Sequence, residues 1–161
     1  MRNQFFMTTP LTSNSKAVGS KTEKQSDFKV SMCNGKPTIL VVEDYADTRE
    51  MMRLMLDMLG YYVIEAEDGA QAVRMTLEKH PDLILMDINM PVMDGFQASA
   101  QIRRQPASAN IPIIACTARN QWEWRNKAIS AGCNDFMAKP LNFDELETIL
   151  HRHLDDLPVN K

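Results

Sequence analysis

The chain has 161 residues, 44% of them hydrophobic and 24% charged, with a formal net charge of −3 at pH 7. That length suits one domain with a proper core, and the balance is ordinary for a globular protein. No apolar run approaches the ~20 residues of a membrane helix, and three cysteines without a CxxC pair argue against a disulfide framework or a zinc site.

Charge divides the chain. Residues 1–36 hold six Lys/Arg and two Asp/Glu, whereas residues 37–161 hold twelve and nineteen. The first segment is rich in Ser, Thr, Asn and Lys and has no sustained period, which predicts a disordered tail ending at Gly35-Lys36-Pro37. Its Phe5-Phe6-Met7 run is cut off by Thr8, Thr9 and Pro10, too soon for a signal-peptide core, so a cytoplasmic setting is expected. The second segment is too acidic to suggest a direct nucleic-acid surface.

From Pro37 the pattern alternates between strand and helix signals. TILVV (38–42) is a short β-branched run, predicting a buried strand. A helix follows, capped near Ala46 or Asp47, with Met51, Leu54, Met55, Met58 and Leu59 predicted as its core face and Gly60 as its stop. YYVIEA (61–66) is the second strand, and residues 70–79 form a helix through Ala72, Val73 and Leu77. DLILMD (82–87) is the third strand. Gly95 to Arg104 makes a short helix through Phe96, Ala100 and either Ile102 or Arg103. IPIIACT (111–117) is the fourth strand, in which Cys116 reads as a small buried hydrophobe. Gln121 to Ala131 is a helix stopped by Gly132, DFMAK (135–139) is the fifth strand, and Asn142 or Asp144 caps a last helix through Phe143, Leu146, Ile149, Leu150 and His153. Five βα units in a row predict an α/β fold: a parallel sheet, doubly wound, with helices on both faces and right-handed crossovers.

Polar residues collect at the carboxyl ends of four strands: Glu43-Asp44, Asp87, Thr117 and Lys139. Taken alone, Asp87 equally suits the opening of a turn, and Thr117 and Lys139 suit a strand end and a surface. Taken together they share the edge at which open α/β sheets bind ligands. Three clustered carboxylates repel one another and need a cation. All-oxygen ligation favours a hard ion such as Mg²⁺. A metal, a lysine and a hydroxyl can hold the oxygens of a transferring phosphoryl group, and a carboxylate can serve as its nucleophile.

The segments VVEDYADTRE, LILMDINMPVMDGF, IIACTA and AGCNDFMAKPL together resemble the receiver domain of two-component response regulators, over residues 38 to about 155. The resemblance implies the strand order 2-1-3-4-5, with residues 37–161 as the receiver domain. It implies that Asp87 accepts phosphate from a histidine kinase or a histidine phosphotransfer protein. It further implies Mg²⁺ (or Mn²⁺) held by Glu43, Asp44, Asp87 and the backbone carbonyl of Asn89, and phosphate held by Thr117 and Lys139. Thr117 and Phe136 match the pair that switches on phosphorylation, and Lys139-Pro140 matches a bond that is commonly cis. A downstream target protein would then read the face made by the fourth helix, the fifth strand and the fifth helix. Three positions depart from the pattern, one of them Trp124, which stands where Asp is more common. Glu43 stands where Asp is common, and Phe136 lacks the hydroxyl of the common Tyr. In the fourth helix, Trp122 and Trp124 lie on different stripes, so one is expected to pack and the other to be exposed.

No output module is recognisable after Leu157-Pro158, which predicts a stand-alone receiver, or one whose output lies in another chain, not itself an enzyme with a separate substrate, that acts through a protein partner and without a membrane. An aspartate-nucleophile phosphatase is the enzymatic rival, but its DxDxT pattern on the first strand is missing. The alternative is a degenerate receiver acting as a phosphorylation-independent interaction module. His80, His151 and His153 sit in no context suited to a phosphodonor.

Overall fold

The computed structural model describes residues 35–118 and 122–155, apart from the side chain of Trp122. The disordered tail predicted for residues 1–36 lies, except for Gly35 and Lys36, outside the described residues. The elements run β1 (Thr38–Val42), α1 (Ala46–Met58), β2 (Tyr62–Ala66), α2 (Gly69–Lys79), β3 (Leu83–Asp87), α3 (Gly95–Arg103), β4 (Ile113–Thr117), α4 (Trp122–Ser130), β5 (Asp135–Ala138) and α5 (Phe143–Leu154). The strands form one sheet in the order β2-β1-β3-β4-β5, every pairing parallel.

Because strand side chains alternate, each central strand feeds two cores. Ile39, Val41, Leu83, Leu85, Ile114, Cys116 and Met137 meet Met52 and Leu56 of α1 and Leu146, Ile149, Leu150 and Leu154 of α5 on one face. On the other face, Leu40, Val42, Ile84, Met86, Ile113 and Ala115 meet Ala72 of α2, Ala98 and Ile102 of α3 and Ala128 of α4. Strands β1, β3 and β4 are buried throughout, which explains their continuous apolar runs.

Local chemistry sets the helix ends. Asp68 accepts from the Gln71 amide to start α2. Asp94 and Gln97 form a reciprocal capping box at α3. Asn142, rather than Asp144, caps α5 by accepting from the amides of Asp144 and Glu145.

The predicted core face of α1 is corrected. Arg49, Met52 and Leu56 are the buried residues, while Met51 is 42%, Leu54 50% and Met58 78% exposed. Seven of the nine residues from Met51 to Leu59 are apolar, so two helical stripes fit the sequence. Arg49 selects between them, because its buried guanidinium is tied to the Glu43 carbonyl and to Glu65 and Glu67. Met55 and Leu59 pack at the edge of the core. The helix begins at Ala46 after Tyr45, which makes no side-chain cap. In α3, Ala98, Ser99 and Ile102 are buried, with Phe96 packed at their margin, so the phase is set by Ile102 and not by Arg103.

Candidate functional site

Parallel pairing throughout the sheet brings all carboxyl ends to one edge. Glu43 follows β1 directly, and its amide donates to the Ala66 carbonyl at 3.1 Å. Asp87 closes β3 opposite Cys116, and Thr117 closes β4 opposite Ala138. Lys139 follows β5, its amide bonded to the Thr117 carbonyl at 2.8 Å, and the Lys139–Pro140 bond is cis. Four chain segments distant in sequence thus meet within one crevice.

Glu43, Asp44 and Asp87 each offer a carboxylate oxygen, all within 4.8 Å of one another. Asp87 is 3% and Glu43 1% exposed; Asp44 is half-buried. Oδ1 of Asp87 accepts from the Asn89 amide at 3.2 Å, and its Oδ2 lies 3.2 Å from the Lys139 ammonium. Lys139 also donates to Oε2 of Glu43. The longer arm of Glu43 is therefore spent on Lys139. Oε1 of Glu43 and Oδ1 of Asp44 are buried without a hydrogen-bond partner.

Buried acceptors without partners are costly. Two of them on clustered carboxylates are what a divalent cation with oxygen preference would satisfy. The residues present therefore fit Mg²⁺ or Mn²⁺, with Glu43, Asp44 and Asp87 as side-chain ligands.

Burial pushes the Glu43 carboxyl up; the hydrogen bond from Lys139 pulls it back and the charge of Asp87 pushes it further, leaving it above the ordinary value. Burial alone would lower Lys139, but its hydrogen bond to Glu43 and the charges of Asp87 and Glu43 outweigh this and raise it. Lys139 therefore stays a cation at neutral pH. Burial beneath the site pushes the Cys116 thiol up to about 12.

Thr117 is 2% exposed at the end of β4. Two residues earlier, Ala115 is paired with Phe136, so Thr117 and Phe136 lie toward the same face of the sheet. The Phe136 ring is half-buried against that core, with the Arg125 guanidinium 5.5 Å from its centroid. Trp124 is packed too, stacked on Phe96 at 5.7 Å between ring centroids, with the Lys127 ammonium over its ring, 4.9 Å from the centroid. Trp122, the other candidate for exposure, has its side chain outside the described residues. A groove between α4, β5 and α5 is lined by Arg125, Asp135, Phe136, Asp144, Ile149 and Arg152.

Two contributors escaped the sequence reading. Gly95 lies so close to the β3 end that a Cβ there would stand 2.2 Å from the Asp87 carbonyl oxygen, and only glycine allows that approach. Its sole signal was the Asp94-Gly95 turn pattern. The other is Arg49, whose signal was a cation spaced three and seven residues before Met52 and Leu56.

Residues 39–151 match the response regulator receiver domain family. The chain is 42% identical over 118 residues to the chemotaxis protein CheY of Bacillus subtilis, covering 73% of this chain and 97% of that protein. It is 39% identical over 132 residues to the sensor protein EvgS of Escherichia coli, covering 74% of this chain and 11% of EvgS. It thus spans about a tenth of EvgS and 48% of another relative, the phosphate regulon regulator PhoB of Pseudomonas aeruginosa. Among solved structures, chemotaxis protein CheY4 of Vibrio cholerae superposes with a TM-score of 0.71 at 31% identity, covering 74% of this chain and 99% of that one. The receiver domain of a sensor histidine kinase from Pseudomonas aeruginosa, which holds a magnesium ion in its active-site cleft, superposes with a TM-score of 0.69 at 42% identity, covering 73% and 97%.

Proposed function

We propose that this chain, which belongs to the response regulator receiver domain family, accepts a phosphoryl group on Asp87 from a phosphohistidine donor in a Mg²⁺-dependent reaction. The observation that carries this reading is the buried Asp87 carboxylate set between a fixed ammonium, 3.2 Å away, and two further acids with unpartnered oxygens.

Oδ of Asp87 attacks the phosphorus of the donor. A P–O bond forms as the P–N bond breaks, and the electron pair leaves on the imidazole nitrogen. Lys139, already beside Asp87, holds a phosphoryl oxygen once Glu43 releases it. Thr117 is placed at the neighbouring strand end to donate its hydroxyl to another. Mg²⁺, when held by Glu43, Asp44 and Asp87, with the Asn89 carbonyl as a further ligand, offsets the negative charge of both carboxylate and phosphoryl group. Hydrolysis of the acyl phosphate resets the chain, so it acts on its own carboxylate and turns over no separate substrate.

Two surfaces support the choice of partners. Tyr45, beside Asp44, is 69% exposed, and below it Met51, Leu54 and Met58 form an exposed apolar stripe along α1. A donor histidine must reach Asp87 directly, so a kinase or phosphotransfer protein would sit on that rim and cover the stripe. The groove between α4, β5 and α5, with Phe136 in its wall, is read as the face a downstream protein senses. Thr117 moving toward the phosphate vacates space behind β4, into which the Phe136 ring can turn.

Incubation of wild type and Asp87→Asn with acetyl phosphate and Mg²⁺, followed by intact mass, tests the reading. Wild type should gain one phosphoryl group, and lose that gain with chelator or Asp44→Ala. Equal gain by Asp87→Asn would overturn the assignment.

A further inference from the structure

Arg49 is a cation buried in the inward face of α1, 9% exposed and in line with Met52 and Leu56. Buried charges persist where partners hold them. Nε donates to Glu65 at 3.0 Å, Nη2 to Glu67 at 3.2 Å and Nη1 to the Glu43 backbone carbonyl at 2.8 Å. The two carboxylates would have sufficed as counter-charges, so the third contact calls for its own explanation. The strand pairing of β1 ends at Val42, with Ala66 on one side and Met86 on the other. The Glu43 carbonyl lies beyond it and belongs to the peptide that joins Glu43 to Asp44. Arg49 holds that peptide where the sheet no longer does.

We infer that Arg49 is a positioning residue for the metal site, fixing the Glu43–Asp44 peptide so that both carboxylates face the crevice. This rests on the Mg²⁺ reading above. The guanidinium fork suits the task. It is always charged, planar and able to donate in three directions at once, as a lysine ammonium on one stem cannot with the same geometry. Its anchors are Glu65, on β2, and Glu67, directly after that strand. A chain of contacts therefore runs from β2 through Arg49 to the acid pair, as outer-shell partners do at metal sites.

Two bland roles give different signs. If Arg49 were only a nearby cation, its removal would tighten Mg²⁺ binding, because a repelling charge is lost. If it were only packing, its removal would lower the melting temperature and leave Mg²⁺ affinity alone. A positioning role predicts weaker binding in spite of the lost repulsion.

The test is Mg²⁺ titration by calorimetry and Mn²⁺ titration by electron paramagnetic resonance on the full chain, with circular dichroism to confirm folding. Arg49→Gln should bind both ions about 10- to 100-fold more weakly, the range for outer-shell losses, and Arg49→Lys should recover part of this. Folded Arg49→Gln that binds as tightly as wild type, or more tightly, overturns the inference. Should Arg49→Gln fail to fold, the double variant Glu65→Gln/Glu67→Gln decides. Its side chains are 36% and 70% exposed and anchor the guanidinium from outside. Its control is Glu50→Gln/Asp57→Asn, which removes two acids that bond Arg53 instead. The first pair should weaken binding several-fold more than the second, and equal effects overturn the inference. Wild type that binds neither ion would instead overturn the proposed function on which it rests.

Discussion

Asp87→Asn should make the metal-free protein more stable while removing its chemistry. Without a cation, Asp87 faces Glu43 and Asp44 at 4.8 Å or less and Lys139 at 3.2 Å. With an effective dielectric constant of about 20, each repulsion costs at least ~3.5 kcal/mol and the attraction returns ~5 kcal/mol. Asp44 is half-exposed, so water screens part of its share. The balance leaves about 1–2 kcal/mol of net repulsion that a neutral, isosteric Asn relieves. Asn keeps one acceptor oxygen, which serves the Asn89 amide; its NH2 replaces the oxygen that faced Lys139, and Lys139 keeps Glu43. For a domain of this size that is a rise in melting temperature of about 3–8 °C in EDTA. Mg²⁺ reverses the ranking of charges. It should raise the melting temperature of wild type and raise that of the variant less, because the variant has lost one anionic ligand. Thermal unfolding followed by circular dichroism, in EDTA and in Mg²⁺, reads both effects. A variant that melts below wild type in EDTA would refute the reasoning, for it would mean that the Lys139 attraction outweighs the repulsion among the three acids.

Two further expectations follow from the site's surroundings. Leu54→Glu/Met58→Glu should slow phosphoryl transfer from a phosphotransfer protein at least tenfold, through loss of exposed apolar contact, while leaving transfer from acetyl phosphate unchanged; equal slowing with both donors would remove α1 as the docking surface. Cys116, with its thiol pushed up to about 12, should resist iodoacetamide at pH 8, where only about one thiol in ten thousand is ionised. Because burial disfavours the thiolate, reactivity should rise with pH only far above 8 and appear at once in urea. Alkylation of native Cys116 at the unfolded rate, located by peptide mass, would contradict its burial.

The sequence by itself determined the alternation of five strands and five helices, since period-two and period-3.6 patterns are local and the buried parallel strands are unbroken apolar runs. It also determined that Glu43, Asp44, Asp87, Thr117 and Lys139 stand at strand ends, because each closes its apolar run or lies within two residues of its end. Among the described residues, no helix is long and apolar enough to cross a membrane, a matter that composition had already addressed. The phase of α1 was a different matter. Met51, Leu54 and Met58 form as good a stripe as Met52 and Leu56, and only contact with Glu65 and Glu67 of the neighbouring strand segment settles which one is buried. A helix's own hydrophobic pattern carries no information about a cation bound to groups sixteen and eighteen residues away. The same holds at Gly95, whose need is set by the Asp87 carbonyl pressing against it, and at Glu43, whose longer arm finds Lys139 ninety-six residues along the chain. Local spacing fixes which residues end at the crevice; which of them touch, and which acceptors stay unpartnered, is decided where segments remote in sequence are brought to one edge of the sheet.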